Sequence, residues 1–136
     1  MVTYVLDANA VLRYLDREAG FDRVSEIIKQ HLAGHVRIIM SAIHWGEVAG
    51  ITCRNHDRAT ADLVLVRLFS LGIEIVPATG ERAVRSALIK LERKIPYADA
   101  FGVELASDSP KHVLVTADFD LKAAAKDVKI EFLPRK

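Results

Sequence analysis

The chain has 136 residues, of which 51% are hydrophobic and 27% charged, and it carries a net charge of +1. That length suits a single domain over residues 1–136, with a core that needs no staples, and the composition excludes long disorder and fibrous repeats. One cysteine, Cys53, excludes an internal disulfide framework and fits a reducing compartment.

Residues 1–6 carry no basic region and meet Asp7 too early for a signal peptide. No run approaches the roughly 18 apolar residues of a membrane-spanning helix. The expectation is a soluble, cytoplasmic protein that does not associate with membranes.

In chain order, residues 2–6 and 36–40 read as strands, both nearly continuous in apolar character, as in a sheet covered on both faces. The gap from Met40 to Ile73 has room for two helices. Asp57 is placed to cap the second, and Gly72 to stop it. Residues 73–76 form a third strand. A helix follows Thr79 and runs to Ile95, with Val84, Leu88, Leu91 and Ile95 on one side and Arg85, Glu92 and Arg93 mostly on the other. Pro96 opens a new helix through Ala106. Residues 112–115 and 129–132 complete five strands, with Asp120 placed to cap a short helix over 121–126. Strands alternating with helices predict an α/β fold: a three-layer α/β/α sandwich around a mostly parallel five-stranded sheet.

In such a sheet, ligands bind at the carboxyl ends of the strands. Asp7 directly follows the first strand, and Asp118 lies just past the fourth. Glu47 falls in the opening turns of the helix after the second strand. Asp99 falls in the first turn of the helix that leads into the fourth, and a helix leading into a parallel strand starts at that same edge. Taken singly, each acid has an ordinary reading: a turn or cap residue for Asp7 and Asp118, a solvated position for Glu47, a dipole-favoured acid for Asp99. Together they map to one rim. Clustered carboxylates repel unless a cation neutralises them, and hard oxygen ligands select Mg2+ or Mn2+. Metal-dependent phosphoryl chemistry is the expectation.

Four segments now resemble the motifs of the PIN-domain nucleases, and specifically the VapC-type toxins of toxin–antitoxin pairs. They are Val5-Leu6-Asp7-Ala8-Asn9, Ser41-Ala42-Ile43-His44-Trp45-Gly46-Glu47-Val48, Tyr97-Ala98-Asp99-Ala100 and Leu114-Val115-Thr116-Ala117-Asp118-Phe119-Asp120. The resemblance covers essentially the whole chain. It implies a metal-dependent endoribonuclease acting on RNA, with a cognate antitoxin and a homodimeric state. It implies Asp7 and Asp99 as principal metal ligands, Glu47 and Asp118 completing the catalytic and metal site, Thr116 orienting carboxylates, and Asp120 as an accessory acid. Asn9 stands where the family commonly has Ser or Thr, and Ala117 where many members have a polar or basic residue. Two further readings stay open: a PIN nuclease of RNA processing outside a toxin pair, and a non-catalytic PIN-like RNA-binding module.

Arg13 and Arg17, on the helix after Asp7, are candidates for contact with RNA or an acidic antitoxin segment. Arg82, Arg85, Lys90, Arg93 and Lys94 crowd one helix, as an RNA footprint or a solvated face. His31 and His35 read as surface histidines and not as a zinc pair. His44 reads as a substrate contact or a helix-start neighbour, and Cys53 as a small buried residue. Trp45, Val48, Leu63, Val66 and Phe69 read as core more readily than as interface. The aspartyl-phosphate route is set aside because Asn9 stands where its general acid would be, and no Gly-rich phosphate loop occurs.

Overall fold

Strand-sized apolar runs separated by capped helices build the sheet. The computed structural model describes residues 1–135. Strands β1 (Thr3–Leu6), β2 (Arg37–Ser41), β3 (Glu74–Val76), β4 (His112–Thr116) and β5 (Lys129–Phe132) lie in the order β3-β2-β1-β4-β5, and every pairing is parallel. Helices α1 (Ala8–Leu15), α2 (Phe21–Leu32), α3 (Ala42–Asn55), α4 (Arg58–Ser70), α5 (Gly80–Arg93) and α6 (Tyr97–Ala106) fill the crossovers. A 3₁₀ segment, Phe119–Ala124, joins β4 to β5. No helix among the described residues is long and apolar enough to cross a membrane.

Successive strand side chains point to opposite faces, so the sheet feeds two cores. Leu6, Ile38, Met40 and Val115 pack with Val11, Val24, Ile27, Val48 and Leu68 from α1 to α4. Val5, Ile39 and Leu114 pack on the other face with Ile95, Ala100, Val103 and Leu105. These are the two outer layers of an α/β/α sandwich. The strand order reverses at β1: β2 and β3 lie to one side of it, β4 and β5 to the other. In open parallel sheets the crevice at such a reversal is where ligands bind.

Caps set the helix starts largely as the sequence implies. Asp57 accepts from the Thr60 N–H at 2.7 Å, and Thr79 from the Arg82 N–H at 3.3 Å. The 3₁₀ segment departs from expectation. Its cap is Asp118, whose Oδ1 accepts from the Asp120 N–H at 2.9 Å, so Asp120 is a first-turn residue and not a cap.

Helix α5 is turned over relative to the expected orientation. Val84, Leu88 and Leu91 are exposed, and only Ile95, beyond the helix end, is buried. The helix instead faces the fold with Ser86 and Ile89, flanked by arginines. Arg82 donates to Glu104 at 2.9 Å and to Asp108 at 2.6 Å, Arg85 to Glu104 at 2.9 Å, and Arg93 pairs with Asp127. Arg82 and Arg93 are thus held in ion pairs against the fold, and Arg85, half exposed, is tied to Glu104.

Three further expectations change. Cys53 is exposed, on the outer side of α3. Of the apolar residues assigned to the core, Val48 is buried, while Leu63, Val66 and Phe69 are exposed on α4. His31 is partly buried, with Nε2 hydrogen-bonded to the Leu71 carbonyl at 2.9 Å, and ties α2 to the turn before β3.

Candidate active site

The carboxyl edge of the sheet places the four acids by local chemistry that each segment's sequence supplies. Asp7 ends β1 and caps α1: its Oδ1 accepts from the Ala10 N–H at 2.8 Å, and its own N–H donates to the Val115 carbonyl at 3.3 Å. That leaves Oδ2 buried with no hydrogen-bond partner, in a residue only 2% exposed. The Asp7 carboxyl is pushed up to about 7, chiefly by burial, with hydrogen bonds from Thr116 and the Ala10 N–H pulling the other way and Asp99 and Asp118 adding to the rise. An orphaned oxygen in a buried carboxylate is a costly arrangement that a folded protein normally avoids.

Thr116 closes β4 beside Asp7. Its Oγ1 accepts from the Asp118 N–H at 3.0 Å, which holds the turn that carries Asp118. Asp99 sits in the first turn of α6, which Pro96 opens. Burial first, then the neighbouring carboxylates of Asp118, Glu47 and Asp120, together raise its carboxyl to about 6. Glu47, in the second turn of α3, is also raised by burial. Asp7, Glu47 and Asp99 line a cavity of about 60 Å³ together with Ala8, Asn9, His44 and Ile51. Asp118 adjoins the cavity through Asp99 and Asp7.

The two outlying candidates separate from this group. Arg13 lies in the last turn of α1 and donates to the Ala19 carbonyl at 2.9 Å, so its guanidinium is engaged at the far end of that helix. Arg17 stacks over the Phe21 ring beyond the helix end. Neither faces the acids. Asp120 is exposed and touches the site only through its charge.

One residue carries more than the sequence suggested. His44 is 1% exposed, so it is not open to a substrate, and burial depresses its imidazole to about 4. Its Nε2 lies 2.9 Å from the Ala98 carbonyl and 3.9 Å from Glu47 Oε1. Its only signal in the sequence is the i, i+3 spacing to Glu47. The partner carbonyl, 54 positions away, leaves no mark in any periodicity.

Among the described residues, no three His, Cys, Asp or Glu side chains stand close enough together to hold an ion as they are. The chemistry of the donors nevertheless fits a hard divalent cation. The Asp7 Oδ2 has no hydrogen-bond partner, the available ligands are carboxylate oxygens with no thiolate among them, and burial together with mutual repulsion raises the pair that a cation would discharge. Asp118 spends one oxygen on its cap and keeps the other free.

Comparison with known proteins bears on this geometry. A family model for the PIN domain matches residues 4–127. The chain is similar to solved structures of VapBC2 from Rickettsia felis bound to a promoter DNA fragment (17% identity, TM-score 0.72, 98% of this chain and 100% of that one). It is similar to DNA-bound VapBC from Salmonella typhimurium (18%, TM-score 0.72, 97% and 98%). A toxin–antitoxin complex from Klebsiella pneumoniae is a further likeness (21%, TM-score 0.65, 94% and 95%). No curated protein matches the sequence.

Proposed function

From the premise that this chain belongs to the PIN domain family, we propose that it is a metal-dependent endoribonuclease of the VapC type, the toxin of a type II toxin–antitoxin pair acting in the cytoplasm. The observation that carries the reading is the cavity lined by Asp7, Glu47 and Asp99, with a buried carboxylate oxygen of Asp7 left unpartnered.

In this reading Asp7 and Asp99 are the principal ligands of a Mg2+ or Mn2+ ion, and Glu47 and Asp118 complete the set. When bound, such a cation supplies Lewis-acid activation of water and neutralises the charge that builds on a cleaved phosphodiester. The protein's own groups do the rest. The α1 cap fixes one oxygen of Asp7 and aims the other inward. Thr116 holds the Asp118 turn against Asp7. Burial, with the Asp118 carboxylate beside it, pushes the Asp99 carboxyl up to about 6, so a cation bound there would relieve both. Asn9, exposed in the first turn of α1, offers an amide at the cavity mouth for a phosphate or a carboxylate.

The antitoxin has a place on this surface. A groove of about 250 Å³ between α1, α3 and α4 is lined by Leu12, Leu15, Ile51 and Val64 with a polar rim that includes Asp16, Asn55 and Arg67, and Ile51 is shared with the acid cavity. An apolar helix in that groove would carry a following Arg or Lys onto the carboxylates, a charge-assisted contact. The exposed stripes Val84–Leu88–Leu91 on α5 and Leu63–Val66–Phe69 on α4 supply apolar surface for a homodimer.

The test is cleavage of a fluorescent single-stranded RNA by the purified chain. Cleavage with Mg2+ or Mn2+, lost in chelator and restored on adding the ion back, is the expected result. Full cleavage in chelator overturns the metal reading. Purification from the native cell without any stable protein partner favours the RNA-processing nuclease over the toxin.

A further inference from the structure

His44 joins the two helices that carry Glu47 and Asp99, and nothing in the proposed chemistry uses it. The ring lies in the first turn of α3, at the edge where that helix meets α6. The bond it makes has only one sense: a carbonyl oxygen accepts, so Nε2 of a neutral imidazole donates its proton to Ala98, the residue before Asp99. The same nitrogen stands 3.9 Å from Glu47 Oε1, one helical turn on. A single N–H therefore sits between the backbone that sets Asp99 and the side chain of Glu47.

The fold makes room for this ring at one position. A Cβ on Gly102 would meet His44 Cε1 at 3.0 Å and Leu114 Cδ1 at 3.2 Å. Gly102 lies inside α6, where glycine costs about 1 kcal/mol relative to alanine. The helix accepts that cost at the point where the imidazole passes over it. Nδ1 is buried without a partner, a second cost that a side chain serving only to fill space would not incur. An aliphatic residue would fill the space with neither.

We propose that His44 is a positioning residue for the acid cavity: its Nε2–H bond to the Ala98 carbonyl, with the ring seated over Gly102, sets the separation of Glu47 and Asp99 and so the affinity for a divalent cation. The proposal rests on the metal-dependent reading above. A residue one shell away from the ligands ordinarily changes metal affinity by about 10–100-fold when lost.

The test is titration of Mn2+ into the full chain, with free ion followed by electron paramagnetic resonance, alongside thermal unfolding in chelator and RNA cleavage as a function of Mn2+. His44→Leu keeps bulk and loses the donor. It is expected to raise the Mn2+ dissociation constant about tenfold or more, with cleavage largely recovered at saturating ion. His44→Gln retains an N–H at similar reach and is expected to stay within about threefold of wild type. A folded His44→Leu with wild-type affinity overturns the proposal. So does a His44→Gln as weak as His44→Leu, which would make the ring a packing element only. Should His44→Leu fail to fold, Gly102→Ala decides: it keeps the histidine, displaces the ring and gains helix propensity. Weakened Mn2+ binding in that variant supports positioning, and unchanged binding overturns it. A wild-type chain that takes up no Mn2+ fails the metal reading itself and takes the proposal with it, whereas binding by wild type and His44→Leu alike fails the proposal alone.

Discussion

Two carboxylates of this molecule are equally buried and opposite in treatment. Glu104, 1% exposed in α6, has both oxygens met by arginines: Arg82 reaches Oε1 at 2.9 Å and Arg85 reaches Oε2 at 2.9 Å. Asp7, 2% exposed at the end of β1, has one oxygen capping a helix and the other met by nothing, with two further acids nearby. Burying a charge is tolerable when it is paired and hydrogen-bonded. At Glu104 the protein supplies the cations from its own sequence. At Asp7 it supplies more negative charge. A buried acid with its counter-charges in the chain is a strut, whereas a buried acid among other acids is, in the proposed reading, a place for a counter-charge from outside.

The comparison breaks most visibly in activity. Asp7→Asn and Asp99→Asn keep the size of each side chain, and Asn caps helices as well as Asp does, so neither should unfold the protein. Each should lower RNA cleavage in Mg2+ by about 100-fold or more, because the ion both activates water and stabilises transition-state charge. Unfolding in chelator should be unchanged or at slightly higher temperature. Wild-type cleavage in both variants would return these acids to a purely structural role.

Glu104→Gln should show the reverse pattern. It leaves Arg85 with only its 3.8 Å contact to the exposed Glu81 and removes one of the two counter-charges of Arg82, at a cost of about 2–4 kcal/mol in urea unfolding. That is somewhat below the figure for a fully buried pair, since Arg82 keeps Asp108 and Arg85 is half exposed. Cleavage per folded molecule should be unaltered.

Titration sharpens the contrast. Asp7 rises to about 7 and Asp99 to about 6 from an ordinary value of 3.8. A raised acid binds its proton more tightly folded than unfolded, so the folded state holds more protons between those limits. The depressed His44, held down to about 4, has the opposite slope between about 4 and 6.5, and the two raised acids outweigh it, so stability of the metal-free chain falls as pH rises from about 4 to 7. Unfolding temperature in chelator, followed across that window, should show this decline, and Asp7→Asn should flatten it. A stability that climbs through the same window in wild type would contradict the unpaired state of Asp7.

The smallest effect is expected at Asp120. Exposed and without a cap to make, it enters the site only as a distant charge on Asp99. Asp120→Asn should shift unfolding by no more than about 0.5 kcal/mol and leave cleavage close to wild type. A loss comparable to that of Asp99→Asn would move Asp120 into the ligand set.

Local patterns in the sequence determined the sheet and the edge where the acids gather. Apolar runs of strand length, caps at Asp57 and Thr79, and the break at Pro96 each act within a few residues, so they are readable one at a time. Asp7, Glu47, Asp99 and Asp118 were placed at one edge because alternation of strand and helix leaves few right-handed arrangements. Tertiary structure decided what faced what. Helix α5 carries an apolar stripe and a basic one, and periodicity alone points the apolar stripe inward. Glu104, Asp108 and Asp127, 19 to 34 positions away, instead draw the arginines in and turn Val84, Leu88 and Leu91 out. In the same way, the bond from His44 to Ala98 and the space over Gly102 exist only once α3 and α6 meet. Pairings across that separation depend on three-dimensional proximity, which the one-dimensional pattern does not encode.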